Sequence, residues 1–203
     1  MNKIIKNALI LTAITLISGC LLGLVYEITK EPIAQAQENA KQTAYKTVLA
    51  DADSFEDMEV DAEKAFEPLV AAGYDADSIT GVAVAKDKGG REIGYVITVT
   101  SHEGYGGDIK ISVGILNDGT VKGIEMLSIS ETAGLGMKAK EPEFKSQFQD
   151  KQVSKFFYTK SGESGEDKID ALSGATITTN AVTNGVNSAL VYFRDVLGGG
   201  SGE

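Results

Sequence analysis

The chain has 203 residues, 42% of them hydrophobic, and carries 19 Lys and Arg against 29 Asp and Glu for a net charge of −10 at pH 7. Nothing in that acidic balance suggests a nucleic-acid partner, while the length suits one ordinary domain with appendages and a real hydrophobic core. With one cysteine, an internal disulfide and an iron–sulfur cysteine cluster are excluded, and the single histidine sits in no recognisable nucleophile–histidine–acid pattern, so triad hydrolysis lacks support.

Residues 7–26 form an almost uncharged apolar run, and at about twenty residues it is long enough to span a bilayer as one helix. Lys3 and Lys6 precede the run and Glu27 follows it, so the positive-inside bias puts the N-terminus in the cytoplasm and the rest of the chain on the extracytoplasmic side. Lys30 weakens that asymmetry without reversing it. Two other readings fit the same segment, a cleaved signal peptide and a lipoprotein signal, because Ile17-Ser18-Gly19-Cys20 satisfies a lipobox pattern. Against the lipobox, apolar sequence continues past Cys20, where a mature lipoprotein usually turns polar, and a spanning helix uses all of it. The chain therefore divides into a cytoplasmic N-terminus and transmembrane helix (1–30), a helical and acidic connecting region (31–75), a main domain (76–197) and a flexible tail (198–203).

In the connecting region, residues 31–49 predict a helix with Pro32 in its first turn and Ala36, Ala40, Ala44 and Val48 on one face. Residues 51–67 carry a dense acidic run, read as a solvated connection with at most a short helix. The main domain then predicts a meander of strands at 79–85, 92–100, Ile109–Leu116 and Val121–Ser128, rich in Val, Ile and Thr. Lys88-Gly89-Gly90 and Asn117-Asp118-Gly119 supply turn residues that tolerate positive φ. A helix starting near Thr178, with Val182, Val186, Ala189, Leu190, Phe193 and Leu197 on its apolar stripe, can cover one face of the sheet. The fold class is α+β: a single N-terminal transmembrane helix, then an antiparallel sheet flanked by helices.

Three loops carry the candidate chemistry. Ser173-Gly174-Ala175-Thr176, followed by Ile177-Thr178, places hydroxyls in a tight turn at a helix start. Unpaired N–H groups and the positive end of the macrodipole suit a phosphate there, although Ser and Thr before a helix are also ordinary caps. Glu131-Thr132-Ala133-Gly134-Leu135-Gly136 follows the last strand of the meander, with glycines that permit sharp turns and close approach to a flat ligand, or simply a strand-to-helix connection. Gly104-Tyr105-Gly106-Gly107 reads equally as a hairpin connection or as a loop bordering a ligand. His102 beside it has no assigned role.

Asp170 through Thr178 resemble the flavinylation signature of extracytoplasmic FMN-binding domains, in which the threonine after Gly-Ala carries FMN through a phosphoester bond; in this chain that is Thr176. The loop at Glu131 resembles the Glu-Thr-Pro-Gly-Leu-Gly loop of the same family, with Ala133 where proline is usual. The order of motifs and the single N-terminal apolar segment are most similar to the G subunits of Rnf ferredoxin:NAD oxidoreductases, and close to the C subunits of sodium-pumping NADH:quinone reductases. The resemblance implies that residues 76–197 are an FMN-binding domain. It implies covalent FMN on Thr176, with Ser173, Gly174, Ala175 and Thr178 around the phosphate. Glu131, Thr132, Gly134, Leu135, Gly136 and Tyr105 would lie near the ring. It further implies a flavin transferase for maturation and an electron-relay role among membrane-embedded iron–sulfur and flavin subunits. A non-redox membrane-anchored binding or sensor domain is the alternative of a different class. No phosphate-loop lysine motif and no dinucleotide fingerprint between strand and helix is present, so ATP use and direct NAD binding lack support.

Overall fold

A computed structural model of the protein describes residues 2–163 and 165–199. Gly200 to Glu203, most of the expected tail, lie outside the described residues. The chain forms two compact units, Met1–Lys41 and Gln42–Glu203.

The first unit is helical throughout its described length from Lys3, as part of helix α1 (Lys3–Val48). It is long and apolar enough to cross a membrane, and none of its most apolar stretch is buried in protein. Its polar side chains suit an apolar medium. Thr12, Thr15 and Thr29 each donate a hydroxyl to the carbonyl four residues back, at 3.0, 3.1 and 2.8 Å, so these three hydroxyl hydrogens are satisfied within the helix. Pro32 lies inside the helix rather than in the first turn of a new one.

The second unit is built on a five-stranded antiparallel meander in the order β1-β2-β3-β4-β5. The strands are β1 (Ser54–Met58), β2 (Asp77–Lys86), β3 (Glu92–Ser101), β4 (Ile109–Leu116) and β5 (Val121–Ser128). The four expected strands are all there. The fifth, β1, falls in the acidic run read as a solvated connection, and helix α2 (Ala62–Ala71) follows it. Asp61 caps α2 by accepting the N–H groups of Glu63 and Lys64, as an acid at a helix start does. A short helix α3 (Pro142–Lys145) and a two-stranded parallel pair, β6 (Phe157–Thr159) with β7 (Lys168–Asp170), lead to helix α4 (Thr176–Asp195).

Period-2 alternation decides which side chains meet α4. In β4, Ile109, Ile111, Val113 and Ile115 are fully buried and join one core with Ile97 and Val99 of β3 and with Val182, Val186, Ala189, Leu190 and Phe193 of α4. The expected helix stripe is therefore the packed one, with Leu197 partly buried at its end. On the opposite face a smaller core joins Ala83, Ala85 and Val96 to Tyr45, Val48 and Leu49. Gly114 makes that contact possible, because a Cβ there would stand 2.6 Å from the Val48 carbonyl oxygen. Both faces of the sheet are thus covered, which fixes its strands rigidly under the loops at one end.

Candidate functional site

Strand register brings two of the three loops together. Ser101 pairs with Ile109 and Lys110 with Ser128, so the β3–β4 loop (102–108) and the segment leaving β5 emerge at the same end of the sheet. The turn before α4 closes the third side. Between them lies a cavity of about 570 Å³ lined by Tyr105, Glu131, Thr132, Leu135, Gly136, Gly174, Ala175, Thr176, Ile177 and Thr178. That volume is in the ordinary range for a small-molecule site. Of the residues expected from sequence, only Ser173 and Gly134 are off the wall. Gly134, at φ +76°, turns its loop, and Ser173 is exposed beside Gly174, which has φ +73°.

The turn into α4 leaves its helix end open. Ala175 is the N-cap residue, and no side chain caps the helix. The cap role available to Ser173 or Thr178 is therefore not taken. Thr179 holds the turn from inside: its Oγ1 accepts the Leu172 N–H and donates to the Ala175 carbonyl, both at 3.0 Å, with the side chain fully buried. Thr183 likewise donates to the Thr179 carbonyl at 2.8 Å. The hydroxyl of Thr176 makes no hydrogen bond within the described residues and borders the cavity, half-buried, at the first position of the helix.

The other two loops close around Glu131. Its Oε1 accepts the Gly106 N–H at 3.1 Å. A Cβ on Gly136 would stand 2.5 Å from Thr178 Oγ1 and 2.8 Å from Glu131 Oε2, so only glycine fits between them. The β3–β4 loop is tied to α4 through Glu103, which accepts from Asn184 Nδ2 at 2.6 Å and from Asn180 Nδ2 at 3.5 Å. His102 Nδ1 and Asp108 Oδ1 meet across the same loop at 2.8 Å. Tyr105, Leu135 and Ile177 then stand exposed around the mouth, at 71%, 41% and 53% of their full accessible surface. Three large apolar side chains left in solvent around one opening mark a binding face.

Sequence reasoning missed Ile177, Glu103 and Thr179. Ile177 carried a signal, as an apolar residue that falls off the buried stripe of its own helix. Glu103 and Thr179 carried none, because their partners are set by the tertiary fold and by the exact start of α4.

Residues 104–191, the stretch that holds all three loops, match the FMN-binding domain family, and residues 1–48 match the RnfG N-terminal region. Over 198 residues the chain is 33% identical to the G subunit of the proton-translocating ferredoxin:NAD(+) oxidoreductase complex of Clostridium ljungdahlii, covering 98% of this chain and 96% of that one. This chain belongs to the RnfG family. Another relative, the G subunit of the ion-translocating oxidoreductase complex of Methanosarcina acetivorans, is 32% identical over 94% of this chain and 95% of its own. The crystal structure of the C subunit of the Na(+)-translocating NADH-quinone reductase from Parabacteroides distasonis shares the fold, with a TM-score of 0.51 at 21% identity over 79% of this chain and 94% of that one.

For an RnfG domain the cavity fits FMN on its own chemistry. The uncapped end of α4 offers N–H donors and a positive dipole to a phosphate. The rim offers apolar side chains to a flat ring, and the glycines of the wall, 136 and 174, add no side chain to it.

Proposed function

We propose that this RnfG-family chain carries FMN as a phosphoester on Thr176 and relays electrons between other subunits of an ion-translocating ferredoxin:NAD oxidoreductase. The observation that carries the reading is the open start of α4, where the Thr176 hydroxyl has no hydrogen bond within the described residues and faces a cavity of about 570 Å³. The neighbouring hydroxyls suit the role less well. Thr179 and Thr183 are engaged in the helix, Ser173 lies off the cavity wall, and Thr178 is buried. With the phosphate at the helix end, Gly174, Ala175 and Thr178 lie around it, with Ser173 next to Gly174 outside the wall, and Tyr105, Thr132, Leu135 and Ile177 border the ring.

Bound FMN supplies the redox chemistry, and the protein supplies position and electrostatic surroundings. A covalent tether suits a domain outside the cytoplasm. Holding a free cofactor costs about 4–15 kcal/mol of translational and rotational freedom, and released FMN would be diluted away. Lys3 and Lys6 ahead of the apolar helix favour that side for the domain. The membrane-embedded iron–sulfur and flavin subunits of the complex are its electron partners, and a flavin transferase loads Thr176 by breaking the pyrophosphate of FAD, the FMN phosphoryl passing to the hydroxyl oxygen and AMP leaving.

Mass spectrometry of protein purified from its native host tests the reading. After denaturation and digestion, the peptide containing Ser173 to Thr178 carries an FMN phosphoester at Thr176. Fully processed protein without that adduct would sink covalent attachment, and colourless protein would turn the reading to a non-redox binding domain.

A further inference from the structure

Glu131 is the only carboxylate among the described residues that line the cavity, and no Lys, Arg or His shares the wall with it. No cation pairs with it within the described residues. Only 9% of its surface is exposed. The backbone holds it on two sides. Oε1 accepts the Gly106 N–H at 3.1 Å, and a Cβ on Gly104 would come within 3.0 Å of the same oxygen. A Cβ on Gly136 would come within 2.8 Å of Oε2, which makes no hydrogen bond within the described residues. Two loops have thus lost their side chains where they touch this group. If its purpose were only to hold the loops together, a neutral amide of the same shape would serve, without the desolvation cost of an unpaired charge.

We propose that Glu131 sets the reduction potential of the bound FMN, holding it low by placing one negative charge in the wall of the cavity. The inference rests on FMN occupying this cavity, as proposed above. Uptake of two electrons with one proton leaves a flavin one unit more negative, and an uncompensated carboxylate in a partly dehydrated site opposes that gain. A low potential suits a relay fed by ferredoxin. It also gives Gly104 and Gly136 a common task, since each lets the backbone close on the carboxylate without a bulky neighbour.

The test is a redox titration of the full-length, flavin-loaded protein in detergent, with dithionite as the electron donor and flavin absorbance as the signal. In E131Q the side-chain carbonyl still accepts the Gly106 N–H, so shape is kept and charge is removed. The expected result is an equilibrium constant for reduction at least tenfold larger, a midpoint about 30 mV higher for a two-electron couple, in a variant that still loads FMN and unfolds no lower than the native protein. A less than twofold change in a loaded, folded E131Q, or a lower midpoint, overturns the proposal. Should E131Q not load, E131D decides. It draws the charge back by one methylene toward its own main chain, so its midpoint rises by a smaller amount, and no rise overturns the proposal. Peptide mass spectra of the same samples separate the two readings: FMN held without a bond to Thr176 sinks covalent attachment and leaves the potential comparison valid, whereas protein without FMN in any form sinks both.

Discussion

The Thr179 hydroxyl accepts the backbone N–H of Leu172 at 3.0 Å, reaching across the turn that presents Thr176. The same oxygen donates to Ala175, the N-cap residue of α4. One buried side chain therefore ties both ends of the turn to the helix that follows. Thr179→Val keeps the volume and leaves both the Leu172 donor and the Ala175 acceptor without that partner, for an expected loss of about 1–3 kcal/mol. The turn should also present Thr176 less accurately, so the fraction of flavin-loaded chains falls. Thr179→Ser restores both hydrogen bonds and should recover most of the stability and loading. Urea unfolding together with the flavin-to-protein absorbance ratio measures the two effects; a valine variant that loads as native protein does would remove Thr179 from any positioning role.

Thr176 shows the opposite arrangement. Its hydroxyl makes no hydrogen bond within the described residues, and the side chain is only half-buried. Thr176→Ala should therefore stay within about 0.5 kcal/mol of the native stability, as substitutions away from structural features do. Covalent flavin should be lost completely. In-gel flavin fluorescence after denaturation, set beside a thermal melt of unloaded native protein, checks both halves. Fluorescence that survives in the alanine variant would point to Ser173 or Thr178 as the acceptor.

How much of this was legible in the sequence follows from where each signal resides. Strands β2 to β4 are rich in β-branched residues and are joined by glycine-containing turns, so local propensity and tertiary burial agree there. Strand β1 reads Ser-Phe-Glu-Asp-Met, with Phe55 alone half-buried, because it is an edge strand held by backbone pairing with β2 and by one aromatic contact, Phe55 with Tyr45. Its sequence has no buried face to announce. Strands β6 and β7 are three residues each, too short to show a period. Each cavity loop was visible as a glycine-rich segment. That they share one cavity depends on the register of β3 with β4 and β4 with β5, and register is a property of pairing between distant residues.

Glycines in the Glu131 loop separate two costs that sequence alone treats alike. At Gly136 an added Cβ meets Thr178 Oγ1 at 2.5 Å and the Glu131 side chain at 2.8 Å, so Gly136→Ala must push buried groups apart, at about 1–3 kcal/mol. At Gly134 the space is open, and the cost comes from φ +76°, a backbone region that costs an L-residue about 1–2 kcal/mol. Stability alone will not tell them apart. FMN retention should, because only the Gly136 variant distorts the cavity wall. Flavin content and midpoint potential should be native in Gly134→Ala and altered in Gly136→Ala.

Asp77 links the sheet to α4 at the start of β2, and it does so at a pH-dependent cost. Only 2% of its surface is exposed, its Oδ2 accepts the Ser188 hydroxyl at 2.6 Å, and Oδ1 has no hydrogen bond within the described residues. Burial pushes its carboxyl above the ordinary range; the nearby Ser101 and Ser188 hydroxyls pull it partly back, while Glu103 adds to the rise and His102 opposes it. Because the folded pKa lies above the unfolded value of about 3.9, the native state binds more protons than the unfolded state between the two. The stability from this group is complete below the unfolded pKa and is lost as pH rises through the folded one. Asp77→Asn keeps a carbonyl to accept from Ser188 and has no charge to bury. The variant should therefore be more stable than the native protein at pH 8, with the advantage shrinking as pH is lowered toward 4. Urea midpoints at pH 4, 6 and 8 for both proteins decide it, and an advantage that grows on acidification would show that Asp77 is ionised and stabilised in the fold.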